Sequence, residues 1–473
     1  MTNKQPQHPY EIGMVGLGVM GRNLVLNMAD HGFSVAGYDK DQAKVEALRN
    51  ESAERNIHSA TNILDFVTPL RPPRSIMMLV PVGAPVDSVV QDLCPHLDKG
   101  DLIIDAGNSH FKDTDRRAKS LAEKGVLYMG VGVSGGEEGA RHGPSLMPGG
   151  PKEAYERVRP IFEAVAAQVE GRPCVAYLGP GSAGHYVKMV HNGIEYGFMQ
   201  LIAESYDLMK RGLGLSDDEL SAVYAGWDKT ELQAYLVDIT SRIFTRVDER
   251  TGKRLVDVIL DEAKQKGTGM WTSQDAMDLQ VPTPVIDAAV VARNLSALKR
   301  EREAASKGLG VRTPPLRGDR DAILEQLKGA MHASLIITYA QGMAQMRAAS
   351  KAYEYGLNLE EVARIWRGGC IIRAALLEDI RAAYHAHSDL PNLLSDDRLG
   401  EAVTRGQNGL RTVVGLAGTL GLPIPCLMAS LAYFDAYRSA WLPANLIQAQ
   451  RDYFGAHTYE RVDAKGVFHT HWE

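Results

Sequence analysis

Residues 10–40 read YEIGMVGLGVMGRNLVLNMADHGFSVAGYDK, and the order of residue types in that stretch decides the first fold. Tyr10 to Val15 is a short apolar run, Gly16, Gly18 and Gly21 follow as GxGxxG, and Val19 to Ala29 continues as an amphipathic helix closed by Gly32. Strand, glycine turn and helix in that order are what a dinucleotide site requires. The first glycine permits the tight turn, the second lets the backbone approach a pyrophosphate, and the third lets helix pack on strand, with the first N–H groups of the helix facing the phosphates. A second strand, Phe33 to Tyr38, ends in Asp39, at the separation where an acid that binds ribose is expected. The cofactor contacts expected on this reading are Gly16, Gly18, Val19, Met20 and Gly21 in the loop, and Asp39, Lys40 and Asp41 after the second strand. Val80, Pro81 and Val82 after the next strand, with Asn108 beyond the one that follows, complete the set.

Further apolar runs at Ser75 to Val80, Asp101 to Asp105 and Val126 to Val133, each after a helical segment, predict an alternating α/β domain with a parallel sheet. After Val131 comes GVSGGEEGARHGPSLMPGG, which reads as a loop. It holds Ser134, Gly135 and Gly136 just past a strand's carboxyl end, where open α/β sheets place ligands. Backbone amides and a hydroxyl there suit a carboxylate or a phosphate.

Residues 184–197, GHYVKMVHNGIEYG, place Lys188, His191, Asn192 and Glu195 at i, i+3, i+4 and i+7 of one helix face. Val187, Val190, Ile194, Phe198 and Leu201 form a neighbouring apolar stripe, so the polar set sits at the edge of the buried side. A solvated face would carry exchangeable Lys and Glu pairs at i, i+4; here Lys188 and Glu195 are two turns apart with His191 and Asn192 between them, which points to a cleft. Beyond residue 184 strand signals stop, and helical periods run over 186–211, 219–244 and 321–355. The expected fold class is an α/β N-terminal Rossmann-type domain (1–183), a large all-α domain (184–440) and a C-terminal tail (441–473). GLGVRTPPLRGD, 308–319, reads as a surface loop between helical blocks, and the residues from Gln450 onward as a non-periodic tail that must dock on something.

With 473 residues, 45% hydrophobic and 23% charged, the chain has room for two or three domains, and a net charge of -6 without a long basic run argues against nucleic acid as a partner. MTNKQPQHPYE is polar and has no apolar signal region, so a cytoplasmic location is expected. Val413 to Phe434 is uncharged and long enough to span a bilayer, but Pro423 and Pro425 after Gly418 to Gly421 break it into two buried helices, and no membrane association is expected. Cys94, Cys174, Cys370 and Cys426 lack metal spacing and read as reduced residues; His385 with His387 and His469 with His471 lack accompanying ligands, so no metal is assigned.

GLGVMGRNL, VSGGEEGA, GPSLMPGG, GHYVKMVHNGIEYG, KGTGMWT and LPANLIQAQRDYFGAHTY, in this order from about residue 10 to the end, resemble the motifs of the 6-phosphogluconate dehydrogenase family, the decarboxylating enzymes of the pentose phosphate pathway. The resemblance implies oxidative decarboxylation of 6-phosphogluconate to ribulose 5-phosphate and CO2 with NAD or NADP. By the same resemblance Lys188 takes the proton of the substrate 3-hydroxyl and Glu195 protonates C1 of the enediol. Ser134, Gly135, Gly136, His191 and Asn192 would hold the sugar acid, and Tyr196, Lys266, Thr268, Arg293, Arg451 and His457 the phosphate. It also implies a homodimer in which each tail completes the partner's active site. The chain departs from the family at the cofactor. Asp39, Lys40 and Asp41 stand where the NADP pattern has Asn-Arg-Ser/Thr, and Pro81 where it usually has Lys. A carboxylate at the first position favours a ribose 2′-hydroxyl and repels a 2′-phosphate, so NAD is expected to be used well, with NADP the family default that Lys40 and Lys44 support. The competing readings are a β-hydroxyacid dehydrogenase acting on another acid and a non-catalytic nucleotide-binding protein.

Overall fold

The computed structural model describes residues 9–310 and 318–472. Strands β1 (Ile12–Val15), β2 (Val35–Tyr38), β3 (Ile57–Ala60), β4 (Ser75–Met78), β5 (Leu102–Asp105), β6 (Leu127–Ser134) and β7 (Ser145–Gly149) form one sheet in the order β3-β2-β1-β4-β5-β6-β7. The central strands are buried on both faces, as a sheet covered by helices on each side demands. The covering helices are α1 (Val19–Asp30), α2 (Gln42–Ser52), α3 (Ile63–Val67), α4 (Ala84–Leu93), α5 (Phe111–Ala122), α6 (Gly136–His142) and α7 (Lys152–Val165). The strand order reverses between β1 and β4, the crevice where a doubly wound sheet takes its ligand.

Three expectations are corrected here. The sheet is not wholly parallel: β7 runs antiparallel to β6, with Ser134 opposite Ser145. The segment read as a loop after Val131 therefore contains a strand end, the short helix α6 and a returning strand. It is too short for the dozen or so residues of a parallel crossover. The third correction is β3, absent from the sequence reading because IHSA carries no apolar alternation and lies half-exposed at the sheet edge.

A two-residue hairpin, β8 (Gln168–Val169) with β9 (Arg172–Pro173), precedes α8 (Ala183–Asp207), whose last residues continue as a π turn over Leu208–Gly212. The helical half then comprises α9 (Asp217–Trp227), α10 (Tyr235–Ile243), α11 (Thr268–Asp278), α12 (Pro284–Ser296), α13 (Lys299–Leu309) and α14 (Arg320–Ala352). It continues through α15 (Leu359–Ile365), α16 (Leu376–Ala386), α17 (Asp397–Leu420) and α18 (Pro425–Tyr437). The period expected over 219–244 is broken into α9 and α10, because the Asp228 carboxylate accepts the Ala234 N–H at 3.1 Å and closes a turn between them. The uncharged stretch 413–434 is two helices, α17 ending at Gly421 in the left-handed region (φ 67°) and α18 starting at Pro425. Among the described residues no helix is long and apolar enough to cross a membrane. All four cysteines are free, three of them buried. Residues 311–317 of the expected surface loop lie outside the described residues, and 308–309 belong to α13.

The tail is more ordered than its composition indicates: α19 (Ala444–Gly455) is followed by the hairpin β10 (Tyr459–Glu460) and β11 (Val467–Phe468). Asp452 organises it, accepting from Thr458 N, His469 Nδ1, Thr470 N and Trp472 Nε1 at 2.9–3.0 Å. Desolvation pushes this carboxyl up, but those donors outweigh it and hold it at about 2.

Helix α8 joins the two halves. It is buried on nearly every side and packs on β6 and β7 as well as on α11, α12 and α14. Close approach needs missing side chains: a Cβ on Gly132 would lie 2.4 Å from Lys188 Cβ, and one on Gly184 would lie 2.3 Å from the Met147 carbonyl oxygen. Gly132→Ala is therefore expected to cost about 1–3 kcal/mol of stability and to lower kcat by displacing Lys188. Gly226→Ala on α9, which meets open space, should lower neither and should raise stability by up to about 1 kcal/mol, as thermal melting and steady-state rates will show.

Candidate active site

The glycine loop fits a dinucleotide. Gly16 has φ 93°, and a Cβ there would lie 2.4 Å from the Leu79 carbonyl oxygen; a Cβ on Gly21 would lie 1.9 Å from the Gly16 carbonyl oxygen. Those two glycines are demanded by packing. Gly18 is different, since a Cβ on it would meet nothing within 4 Å, and the open space in front of it is where the backbone meets a pyrophosphate. α1 also has no side-chain cap and no acid in its first turn, whereas α2 is capped by Asp41, α3 by Asn62 and α5 by His110. Its first N–H groups and its dipole are left for an anion.

Asp39 is held by the loop itself: Oδ2 accepts Leu17 N–H and Oδ1 accepts Asp41 N–H, both at 2.9 Å. Lys44 lies 3.6 Å from it, and Lys40 is turned to Asp92 at 2.7 Å. The end of β2 beside the glycine loop thus carries a fixed carboxylate with Lys40 drawn away to α4. Val19, Pro81 and Val82 are exposed, and Met20, Val80 and Asn108 are half-buried around the same crevice.

The polar face of α8 forms one connected chain. Lys188 Nζ donates to Asn192 Oδ1 at 2.7 Å, and Asn192 Nδ2 donates to Thr268 Oγ1 at 2.9 Å. His191 reaches Asn192 Oδ1 through Nδ1 at 3.1 Å and Ser134 Oγ through Nε2 at 3.2 Å. Because Asn192 Oδ1 only accepts, Nδ1 carries the imidazole proton and Nε2 accepts from the Ser134 hydroxyl, a tautomer assigned from the network. Burial, reinforced by the Lys188 charge, holds His191 well below its ordinary range, so it is neutral. Burial also lowers Lys188, against the upward pull of Glu195, and raises Glu195, against the downward pull of Lys188 and Arg293. The Glu195 side chain keeps 21% exposure toward the cleft and lies 3.8 Å from His191 Nδ1. Desolvation has thus prepared an amine that gives up its proton readily and a carboxyl that keeps one.

The structure brings Ser134, Lys188, His191, Asn192, Glu195 and Thr268 together. Arg293 stacks on the Tyr196 ring, its guanidinium carbon 3.5 Å from the centroid, and donates to the Lys264 carbonyl at 3.1 Å. Lys266 is exposed on the same α11 approach. Gly135 (φ 124°) and Gly136 (φ 62°) turn the chain into α6 beside Ser134. Arg451 and His457 are not brought to this cluster within the chain: Arg451 donates to Gln448 at 3.1 Å and His457 packs edge-on to Phe454.

Sequence reading missed the segment Trp366–Cys370. Trp366 is buried edge-on to His191, with ring centroids 5.5 Å apart, and a Cβ on Gly135 would lie 2.6 Å from the Gly369 carbonyl oxygen. Cys370 is buried close enough to Lys188 for each to shift the other's ionisation. Adjacent Gly368 and Gly369 after a helical stretch were the available signal.

A dinucleotide crevice together with a buried lysine and a carboxyl raised by burial defines a nicotinamide-linked dehydrogenase with a helical substrate domain. The chain matches the family descriptions "NAD binding domain of 6-phosphogluconate dehydrogenase" over residues 11–179 and "6-phosphogluconate dehydrogenase, C-terminal domain" over residues 184–472. It belongs to the 6-phosphogluconate dehydrogenase family. It is 54% identical over 463 residues to the Bacillus subtilis NADP(+)-dependent, decarboxylating 6-phosphogluconate dehydrogenase, covering 98% of this chain and 99% of that one. The Synechococcus elongatus decarboxylating enzyme is also 54% identical, over 466 residues, with 98% and 99% covered. The solved Plasmodium falciparum 6-phosphogluconate dehydrogenase, described in its apo form and in complexes with NADP+ and with 6-phosphogluconate, superimposes with a TM-score of 0.95 at 42% identity, covering 98% of this chain and all of that one.

Proposed function

We propose that the chain converts 6-phosphogluconate to ribulose 5-phosphate and CO2, and that Lys188 and Glu195 are its base and acid. The observation that carries this is one helix face on which burial lowers the Lys188 amine and raises the Glu195 carboxyl from their ordinary ranges, in a chain that also has a dinucleotide crevice. The bound nicotinamide supplies the hydride acceptor, held by Gly16, Gly18, Gly21 and the start of α1. Neutral Lys188 takes the 3-hydroxyl proton as C3 is oxidised, and returns it to the 3-keto oxygen as the C1–C2 bond breaks and its electron pair forms the enediol. His191 and Ser134, already bonded to each other, orient the sugar-acid oxygens. Glu195 stands seven residues on, about 10 Å along the axis, at a different carbon of an extended substrate. There its proton goes to the carbon that lost CO2 while Lys188 takes back the proton of the enediol hydroxyl, and Glu195 is reprotonated from solvent at its exposed edge. Tyr196, Lys266, Thr268 and Arg293 hold the phosphate.

The same reading assigns the boundaries 1–183, 184–440 and 441–473, a cytoplasmic homodimer, and a tail that brings Arg451 and His457 to the partner's site. In support, α19 and its approach leave Trp441, Leu446, Ile447 and Phe454 exposed, apolar surface that a lone chain does not cover. At the ribose end, Asp39 makes NAD the preferred cofactor, although the Bacillus subtilis relative is NADP(+)-dependent by name.

Turnover in D2O tests the chemistry. The product should be ribulose 5-phosphate carrying one deuterium at C1, with one CO2 released per reduced cofactor; reduced cofactor beside a keto acid that retains its carboxylate would contradict the proposal.

A further inference from the structure

The buried polar groups that the mechanism leaves unused converge on His185, one turn before Lys188 on α8. We propose that His185 is a positioning residue: through Thr114 and the main chain of Asp105 it sets the height of α8, and so of Lys188, against the sheet edge that carries Asn108. This rests on the assignment of Lys188 as base.

His185 is fully enclosed. Its Nε2 lies 3.0 Å from the carbonyl oxygen of Asp105, the last residue of β5, and its Nδ1 lies 2.6 Å from Thr114 Oγ1 on α5. A carbonyl only accepts, so Nε2 carries the proton and Nδ1 accepts from the threonine hydroxyl. Burial lowers the ionisation of this imidazole and agrees with a neutral ring bearing one proton. A Cβ on Gly130 would lie 2.7 Å from Nδ1, so β6 is stripped of a side chain where His185 enters, as it is at Gly132 where Lys188 enters.

Asp105 is clamped at its other end. Oδ1 accepts Gly107 N–H at 3.0 Å, and Oδ2 accepts Ser109 Oγ at 2.6 Å and Tyr128 OH at 2.8 Å. Arg117, itself paired to Asp87 at 2.8 Å, stands 3.8 Å from Oδ2. The side chain of Asp105 therefore fixes the turn around Asn108, and its carbonyl fixes His185. One residue ties the cofactor-side turn to the helix that carries the base. A histidine that only filled space would need no such pair of directional bonds. The phosphate contacts Tyr196, Lys266 and Arg293 sit beyond this joint and should not feel it.

The test uses the full-length enzyme with His185→Asn, His185→Gln and Thr114→Val, and with Lys188→Met in parallel. Asparagine keeps a group near Thr114 but does not reach the Asp105 carbonyl; glutamine restores that donor. His185→Asn should lose about 10- to 100-fold in kcat, the scale of a misplaced reacting group. KM for 6-phosphogluconate should stay within about threefold, and the primary isotope effect with substrate deuterated at C3 should rise. His185→Gln should recover most of the loss. Thr114→Val, close to isosteric and so the variant that guards against misfolding, should show the same change in smaller degree. In cofactor-free enzyme the His185 ring nitrogens should give the 15N shifts of a neutral Nε2–H tautomer. A lower melting temperature with kcat and isotope effect unchanged in both His185→Asn and Thr114→Val, beside a Lys188→Met that has lost about a thousandfold or more in kcat, would overturn this inference alone; so would an imidazolium signal at neutral pH. Turnover by Lys188→Met at close to the wild-type rate would instead overturn the assignment of the base.

Discussion

Lys188→Met is expected to lower kcat for 6-phosphogluconate by about a thousandfold to ten-thousandfold, the contribution of a well-placed general acid–base group. Methionine keeps the unbranched shape of the lysine stem and leaves Asn192 Oδ1 its bond from His191 Nδ1, so the site should stay assembled. Stability should not fall. Burial lowers the Lys188 amine below its ordinary 10.5, which means folding works against a protonated amine at every pH below about that value. That penalty fades as pH climbs from the lowered folded value toward 10.5, and methionine never incurs it. The variant should therefore melt at or above the wild-type temperature at neutral pH. The pH profile supplies a second readout. Wild-type kcat should rise with pH as Lys188 loses its proton and fall as Glu195, raised by burial, loses its own. Residual activity of Lys188→Met should lack the rising limb.

Asp39→Asn, combined with Lys40→Arg and Asp41→Thr to restore the NADP pattern, is expected to shift the ratio of kcat/KM for NADP over NAD by about a hundredfold toward NADP. A unit charge about 5 Å from a 2′-phosphate, at the effective dielectric of a protein surface, is worth about 3 kcal/mol of repulsion, and removing it is the larger part of the change. Arginine adds a planar fork in place of a Lys40 that is drawn to Asp92. The glycine loop should survive, because an asparagine oxygen still serves Leu17 N–H, the more enclosed of the two donors that Asp39 now satisfies. Both cofactors must be compared at one ionic strength, since salt screens this repulsion. An unchanged ratio would show that Asp39 does not face the 2′ position.

The dinucleotide crevice was legible because its requirements are local. Gly16 and Gly21 are needed where a Cβ would strike backbone, and Gly18 faces open space at the turn. The face of α8 was legible for the same reason, since helical spacing alone aligns Lys188, His191, Asn192 and Glu195. β7 was not. Its direction follows from the ten residues between Ser134 and Ser145 being too short for a parallel return, and nothing in SLMPG distinguishes a strand from a turn. The break between α9 and α10 rests on one carboxylate, Asp228, reaching six residues ahead, a long-range bond that a periodicity cannot carry. Trp366, Cys370 and His185 were missed because their partners lie far off in sequence: His191, Lys188, and Thr114 with Asp105. Arg451 and His457 are legible only through the family, because within the chain their contacts are local, to Gln448 and Phe454.

The most direct measurement is kcat/KM of the purified full-length protein for 6-phosphogluconate, with NAD and NADP in parallel and with CO2 and ribulose 5-phosphate measured alongside reduced cofactor. Turnover with equal yields of all three products, and a higher kcat/KM with NAD, is the predicted result. Absence of turnover with either cofactor, in protein that melts cooperatively, would contradict the assignment of Lys188 and Glu195 as working base and acid.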